Sequence, residues 1–199
     1  ASWQWTLISI VIVAIICAAT FGVLMSSDIA ALLTIFQEKS EAMQAEPALT
    51  ALAAKMAASL ATLTEPLLLG LVAMILAVGS VMSLLLARWW QSALYNPGGF
   101  QREFHGLTIS SKAAVILLML FFLGRLMPEG YQLWSGLALL PLLVAGIALF
   151  YFAVKLFSQG KQWWAFLYVG MIMVGKPVLL LLVVLGLTDS LIDLRSRLE

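Results

Sequence analysis

Long runs without charge constrain this chain more than any other feature. A hydrocarbon core of about 30 Å takes on the order of 20 apolar helical residues to cross. Five stretches approach that length: residues 4–26, 67–87, 109–127, 130–154 and 162–188. The second fills the interval between Glu65 and Arg88, and the fourth is uncharged throughout. The third reaches span length only if Lys112 and Arg125 snorkel from its ends, and the fifth is interrupted once, at Lys176-Pro177. Composition agrees with this reading. Of 199 residues, 63% are hydrophobic and 11% charged, whereas soluble domains average about 45–50% and 25%. Trp prefers the membrane boundary, and Trp3, Trp5, Trp89, Trp90, Trp134, Trp163 and Trp164 all fall at ends of these stretches. The expected fold is therefore all-α: a polytopic transmembrane helix bundle of five spans forming one membrane domain. The chain opens on Ala, which suggests a processed form or a piece of a longer protein.

The same arithmetic excludes several functions. A net charge of +1 gives no electrostatic footprint for nucleic acid. Cys17 has no second cysteine to pair with, and a single His leaves no metal-ligand set, so no metal or other cofactor is expected. No His-Glu-x-x-His, Gly-x-Ser-x-Gly or Cys-x-x-Cys occurs, so no enzymatic activity is expected and no catalytic residue is assigned.

Between the first two spans, residues 28–66 form the longest polar connection. Leu49, Leu52, Met56, Leu60 and Leu63 recur at spacings of three and four, and Pro47 suits a first helical turn. The spacing predicts an extramembrane amphipathic helix over residues 47–64, its leucines on the bundle or the lipid surface and Lys55 in water. Ile29, Leu32, Leu33 and Phe36 repeat the pattern upstream. Within residues 67–87, Ala73 with Ala77 and Gly79 with Ser83 place small residues four apart, a spacing that suits close helix contact. Alternating spans put residues 88–112 and 155–161 on one side, and residues 28–66, 125–129 and the tail after 188 on the other. Lys plus Arg divide evenly between the two, and the denser first set is expected to be cytoplasmic.

Lys176 stands out because an ammonium near a bilayer midplane costs about 2.5–3.5 kcal/mol on insertion scales. It is expected to face the protein interior with an oxygen partner: a carbonyl freed by Pro177, a carboxylate such as Glu65, or a ligand. Broken helices of this kind line substrate sites in transporters. Gly170 to Pro177 comes within one residue of a phosphate-binding loop, but Pro replaces the hydroxyl residue and no strand precedes it. Asn96-Pro97-Gly98-Gly99 is a turn, and Arg102, Glu103 and His105 follow it. This stretch reads as a solvated boundary loop in which Asn96, Arg102, Glu103 and His105 are candidate contacts to a partner or ligand.

The segments Ala87-Arg88-Trp89-Trp90-Gln91, Leu94-Tyr95-Asn96-Pro97-Gly98-Gly99-Phe100, Glu103-Phe104-His105, Gly186-Leu187-Thr188-Asp189 and Asp193-Leu194-Arg195-Ser196-Arg197 resemble the YybS-like family of bacterial membrane proteins. The resemblance covers about residues 67–199. It implies a multi-pass protein of the bacterial inner membrane with further spans upstream. That family is distantly similar to the substrate-capture components of energy-coupling-factor transporters and to the rod-shape membrane protein MreD. Two functions follow as expectations. One is a solute-binding or transporter-like component with its pocket near Lys176, Pro177 and Glu65. The other is a membrane scaffold or partner subunit. Expected partners are the lipid bilayer and copies of the chain or other membrane subunits, with a small-molecule ligand in the first case only.

Overall fold

The computed structural model of the chain describes residues 2–44, 51–156 and 162–198. Every regular element among them is an α-helix. Three helical stretches are long and apolar enough to cross a membrane: Trp3–Leu24, Glu65–Tyr95 and Gln132–Leu156.

Helix α1 (Trp3–Leu24) runs from an upper to a lower end and packs along α4 (Glu65–Tyr95), which climbs back. Gly22, near the end of α1, lies against Leu69 near the start of α4, so the two are antiparallel. The buried residues of both helices are mostly small: Ala14, Ala18 and Gly22 in α1, and Gly70, Ala73 and Ala77 in α4, where Gly70 lies against Leu133 and Trp134 of the third stretch. Lipid tails are as apolar as leucine, so membrane helices gain little from hydrophobicity alone, and backbones brought close by small residues gain through dispersion. The expected pair Ala73 and Ala77 is fully buried in α4. Gly79 is exposed, with open space where its side chain would stand. Pro66 sits in the first turn of α4, where its missing N–H is an orphan anyway. The helix passes through Arg88-Trp89-Trp90 to Tyr95, well beyond the expected end at residue 87.

Between them, α2 (Ser26–Gln44) and α3 (Ala51–Ala61) form a hairpin at the lower end. The expected helix is present over residues 51–61, and it meets α2 through Ala57, leaving Leu52 and Met56 off the bundle. Buried Ala57 and Ser40 hold the two helices together, with Ser40 Oγ donating to the Ala57 carbonyl at 2.9 Å, because small residues allow close approach. Leu52 and Met56 are 70% and 54% exposed, and Lys55 is exposed as expected. Pro47 and Leu49 lie outside the described residues.

Short α5 (Gly99–His105) caps the upper end, starting from Gly98 in the left-handed conformation (φ +82°) that its turn requires. From there α6 (Ser111–Arg125) descends, and α7 (Gln132–Leu137) with α8 (Leu140–Leu156) rises beside it. The ends match: Gly124 faces Ser135 below, and Ser110 N donates to Gln4 Oε1 of α1 at 2.7 Å above. At 15 residues, α6 is shorter than the span expected over residues 109–127. The α7–α8 stretch is the centre of the bundle, 61% buried where α1 and α4 are 28% and 22% buried. Trp134 belongs to that interior, its Nε1 donating to the Pro66 carbonyl at 2.7 Å.

The stretch expected as one span over residues 162–188 is instead two helices, α9 (Gln162–Met173) and α10 (Lys176–Ile192). They run in opposite directions. Tyr168 of α9 meets Tyr151 of α8 hydroxyl to hydroxyl, and Met171 and Ile147 line the same cavity, so α9 descends antiparallel to α8. Gly146 and Gly186 mark the crossing of α8 and α10, where a Cβ on either would strike the other helix's backbone. Above that crossing, Arg195, just past α10, stands 5.6 Å from the Phe152 ring of α8. An antiparallel α10 would carry residue 195 to the opposite end of α8, so α8 and α10 are parallel. Gly175 makes the reversal, with φ +64° and ψ −115°, a region closed to most side chains. A short α11 (Leu194–Leu198) ends the chain at the upper face.

Candidate functional site

The reversal at Gly175 changes the standing of Lys176. It heads α10 instead of sitting mid-span, and Pro177 occupies the first turn, where proline starts a helix and interrupts none. The expected interior position is therefore corrected. Both residues are exposed, and among the described residues no hydrogen bond or ion pair holds the Lys176 ammonium. Glu65 is likewise exposed, at the first turn of α4. A 17-residue helix rises about 25 Å, which puts Lys176 at the lower end, far from Arg195.

Polar side chains gather at the opposite end. Arg195 is 8% exposed and Asp189 4%. Arg195 Nε donates to Asp189 Oδ2 at 3.1 Å, Nη2 donates to the Leu107 carbonyl at 2.8 Å, and Nη1 donates to the His105 carbonyl. Its guanidinium also stacks over Phe152. Asp189 Oδ1 is buried without a partner among the described residues. Asp193, left-handed at φ 52°, turns the chain so that Arg195 folds back onto Asp189. Ser111 Oγ donates to the Ser190 carbonyl at 2.6 Å, tying the start of α6 to the same place. One arginine thus fastens the end of the chain to the α5–α6 link.

The turn before α5 and α5 itself roof a cavity of about 810 Å³. Its walls are Met82, Leu85, Leu86 and Trp89 of α4, Ile147 and Tyr151 of α8, and Leu167, Tyr168 and Met171 of α9. Pro97, Gly98, Phe100, Gln101, Phe104 and His105 close the top. Phe104 packs edge-on against Tyr151 (5.9 Å between centroids) and stacks on Phe100 (5.6 Å). Ser92 Oγ accepts from Phe100 N and donates to the Asn96 carbonyl, each at 2.8 Å, which pins the turn into α5. Across the roof, Arg88 of α4 pairs with Glu103 of α5. The roof is therefore held by one ion pair to α4 and by the Arg195 hydrogen bonds to α10 and α11.

Of the loop candidates, His105 reaches the cavity. It is 8% exposed, which corrects the reading of a solvated loop: the ring is covered edge-on by Phe152 (6.4 Å between centroids). Burial, with the positive charges of Lys155 and Arg195, lowers its pKa below 6.5. Burial likewise lowers that of Arg195. Glu103 serves the ion pair, Arg102 is exposed, and the Asn96 side chain lies against Gly99. Lys176, Pro177 and Glu65 do not line the cavity. Sequence reasoning missed Tyr151 and Tyr168, although a tyrosine hydroxyl inside an apolar stretch signals a buried polar partner. A second, open groove of about 390 Å³ runs along α3 past Met56, Leu60 and Leu63. Among the described residues, no cluster of His, Cys, Asp and Glu is placed to hold a metal.

No family model matches the chain, and neither a curated protein nor a solved structure is significantly similar to it.

Proposed function

We propose that the chain is a multi-pass bacterial inner-membrane protein that holds a small molecule in the chamber under α5, as a solute-binding or transporter-like component. The observation that carries this reading is the chamber, a size usual for ligand sites, walled by three long elements and roofed by one short helix. The family-like segments around Arg88-Trp89-Trp90 and Glu103-Phe104-His105 converge on its mouth and roof. The resemblance to YybS-like proteins supports the bacterial setting. Four crossings, by α1, α4, α6 and α7–α8, followed by an α9–α10 hairpin entering and leaving by one face, take the place of five simple spans.

In this arrangement the tail shares the upper end with residues 88–112. Among the described residues, Arg88, Arg102, Lys112, Lys155, Arg195 and Arg197 then stand above, against Lys39, Lys55, Arg125 and Lys176 below. The positive-inside bias makes the upper end cytoplasmic. A scaffold is the second reading, favoured by Leu32, Ile35, Leu52 and Met56 left exposed on the α2–α3 hairpin.

Native mass spectrometry of the protein in mild detergent tests the chamber. A bound small molecule is expected on the wild type, and Ile147→Trp should remove it while helicity and elution volume stay unchanged. A protein with no adduct, or an adduct indifferent to Ile147→Trp, would favour the scaffold. In that case Leu52→Glu with Met56→Glu should impair function in cells.

A further inference from the structure

The chamber's occupant can be narrowed by what lines it and by where it opens, on the reading that it is a ligand site. Among the described residues, none that lines it is an Asp, Glu, Lys or Arg. Lys155 and Arg195 act on His105 from outside the lining, and Arg195 is already paired with Asp189, so a charged ligand would leave water for an apolar enclosure without a counter-charge in its walls, at a cost of many kcal/mol. The opening has an upper part, beside exposed Pro97, Gly98 and Gln101, and a lateral part. Met82, Leu86 and Trp89 are lining residues that are also exposed, on the outer wall of α4, and Tyr168 is exposed beside them on α9. Because α4 is long and apolar enough to cross a membrane, and Met82 lies midway along it, the lateral part at Met82 and Leu86 faces hydrocarbon.

A polar feature stands at one end. His105 is more than nine-tenths buried and belongs to the lining, and among the described residues no hydrogen bond engages its ring nitrogens. A neutral imidazole offers one donor and one acceptor. It therefore matches a hydroxyl or carbonyl, while Met82, Ile147 and Met171 below it match a hydrocarbon chain. Methionines suit a flexible chain because their own side chains adapt to its shape.

We propose that the chamber takes a neutral single-chain lipid from the bilayer, its uncharged hydrogen-bonding head on His105 and its tail between α4, α8 and α9. A photoactivatable monoacylglycerol with a mid-chain diazirine tests this in vesicles of phosphatidylethanolamine and phosphatidylglycerol. Phosphatidylglycerol and an ionised fatty acid carrying the same diazirine run in parallel. Cross-links to peptides containing Met82, Leu86 or Met171 should saturate, be competed by unlabelled monoacylglycerol, and vanish in Ile147→Trp. His105→Leu should raise the concentration for half-saturation about tenfold, and His105→Gln, which keeps a donor and an acceptor, should largely restore it.

If the charged probes saturate the same peptides as well or better, the chamber stands as a ligand site and the neutral-lipid assignment falls. It falls equally if His105→Leu has no effect, or if no lipid saturates while native mass spectrometry still shows an adduct lost in Ile147→Trp. Absence of both saturable cross-links and adduct would overturn the chamber reading as well.

Discussion

At the scale of single residues, the Asp189–Arg195 pair is the most exacting arrangement in the molecule. A buried pair is a weak source of net stability, but breaking one leaves a charge with neither partner nor water. Arg195→Met should therefore cost about 3–5 kcal/mol in SDS-induced unfolding. Asp189→Leu combined with Arg195→Met should cost less than Arg195→Met alone; a double variant as unstable as the sum of its parts would show that the pair is not coupled. The spacing hid this contact, since residues six apart share no helix face and only the left-handed turn at Asp193 folds Arg195 back. His105 was legible as a residue of interest but not as a buried one, because the ring that covers it, Phe152, comes from α8. Its folded pKa lies below 6.5, so protonation favours the unfolded chain. The corresponding stability is complete above pH 6.5 and is lost as pH falls through the lowered value. Unfolding in detergent between pH 7.5 and 5 should show this loss, and His105→Gln should flatten it. Burial is the larger cause of the shift, and the positive charges of Lys155 and Arg195 add to it.

At the scale of elements, two glycines decide whether α8 and α10 can cross. A methyl group at Gly146 would meet the Leu182 carbonyl, and one at Gly186 would meet the Leu142 carbonyl. Backbone cannot yield as a flexible side chain can, so Gly146→Ala should destabilise by about 1–3 kcal/mol, the usual cost of overpacking. Gly79→Ala, with open space around it, serves as the control and should be neutral or slightly stabilising. The spacing of small residues pointed to α4, and Ala73 and Ala77 are fully buried there. It gave no hint of the Gly146–Gly186 pair, because glycines on two different helices form no sequence motif. The chain reversal was equally hidden. Hydropathy registers which residues avoid water but not the direction in which they run, so α9 and α10 read as one span with a costly lysine inside. With Lys176 heading a helix and exposed, Lys176→Met should change unfolding free energy by less than about 0.5 kcal/mol. A loss of several kcal/mol would return Lys176 to an interior site with a partner.

At the scale of the whole molecule, the direction of α10 decides which face carries the end of the chain. Helices long enough to cross were legible as three uninterrupted apolar runs, since length and composition suffice for that. Topology beyond them was not, because alternating sides assumes that each apolar run crosses. Five simple spans put the tail opposite residues 88–112. The hydrogen bonds from Arg195 to the His105 and Leu107 carbonyls put it beside them. These alternatives separate cleanly in a single-cysteine experiment on a background in which Cys17, exposed on α1, is replaced by Ser. Cysteines at Ser27 and Glu129 mark the lower end, and cysteines at Asn96 and Arg197 mark the upper. In intact cells stripped of their outer barrier, an impermeant maleimide should label positions 27 and 129. Positions 96 and 197 should react only after permeabilisation, as the excess of Arg and Lys above requires. Labelling of 197 together with 129 would mean that residues 162–192 cross the membrane once. That crossing would carry Arg195 away from α5 and leave both the carbonyls of the roof and Asp189 without their arginine.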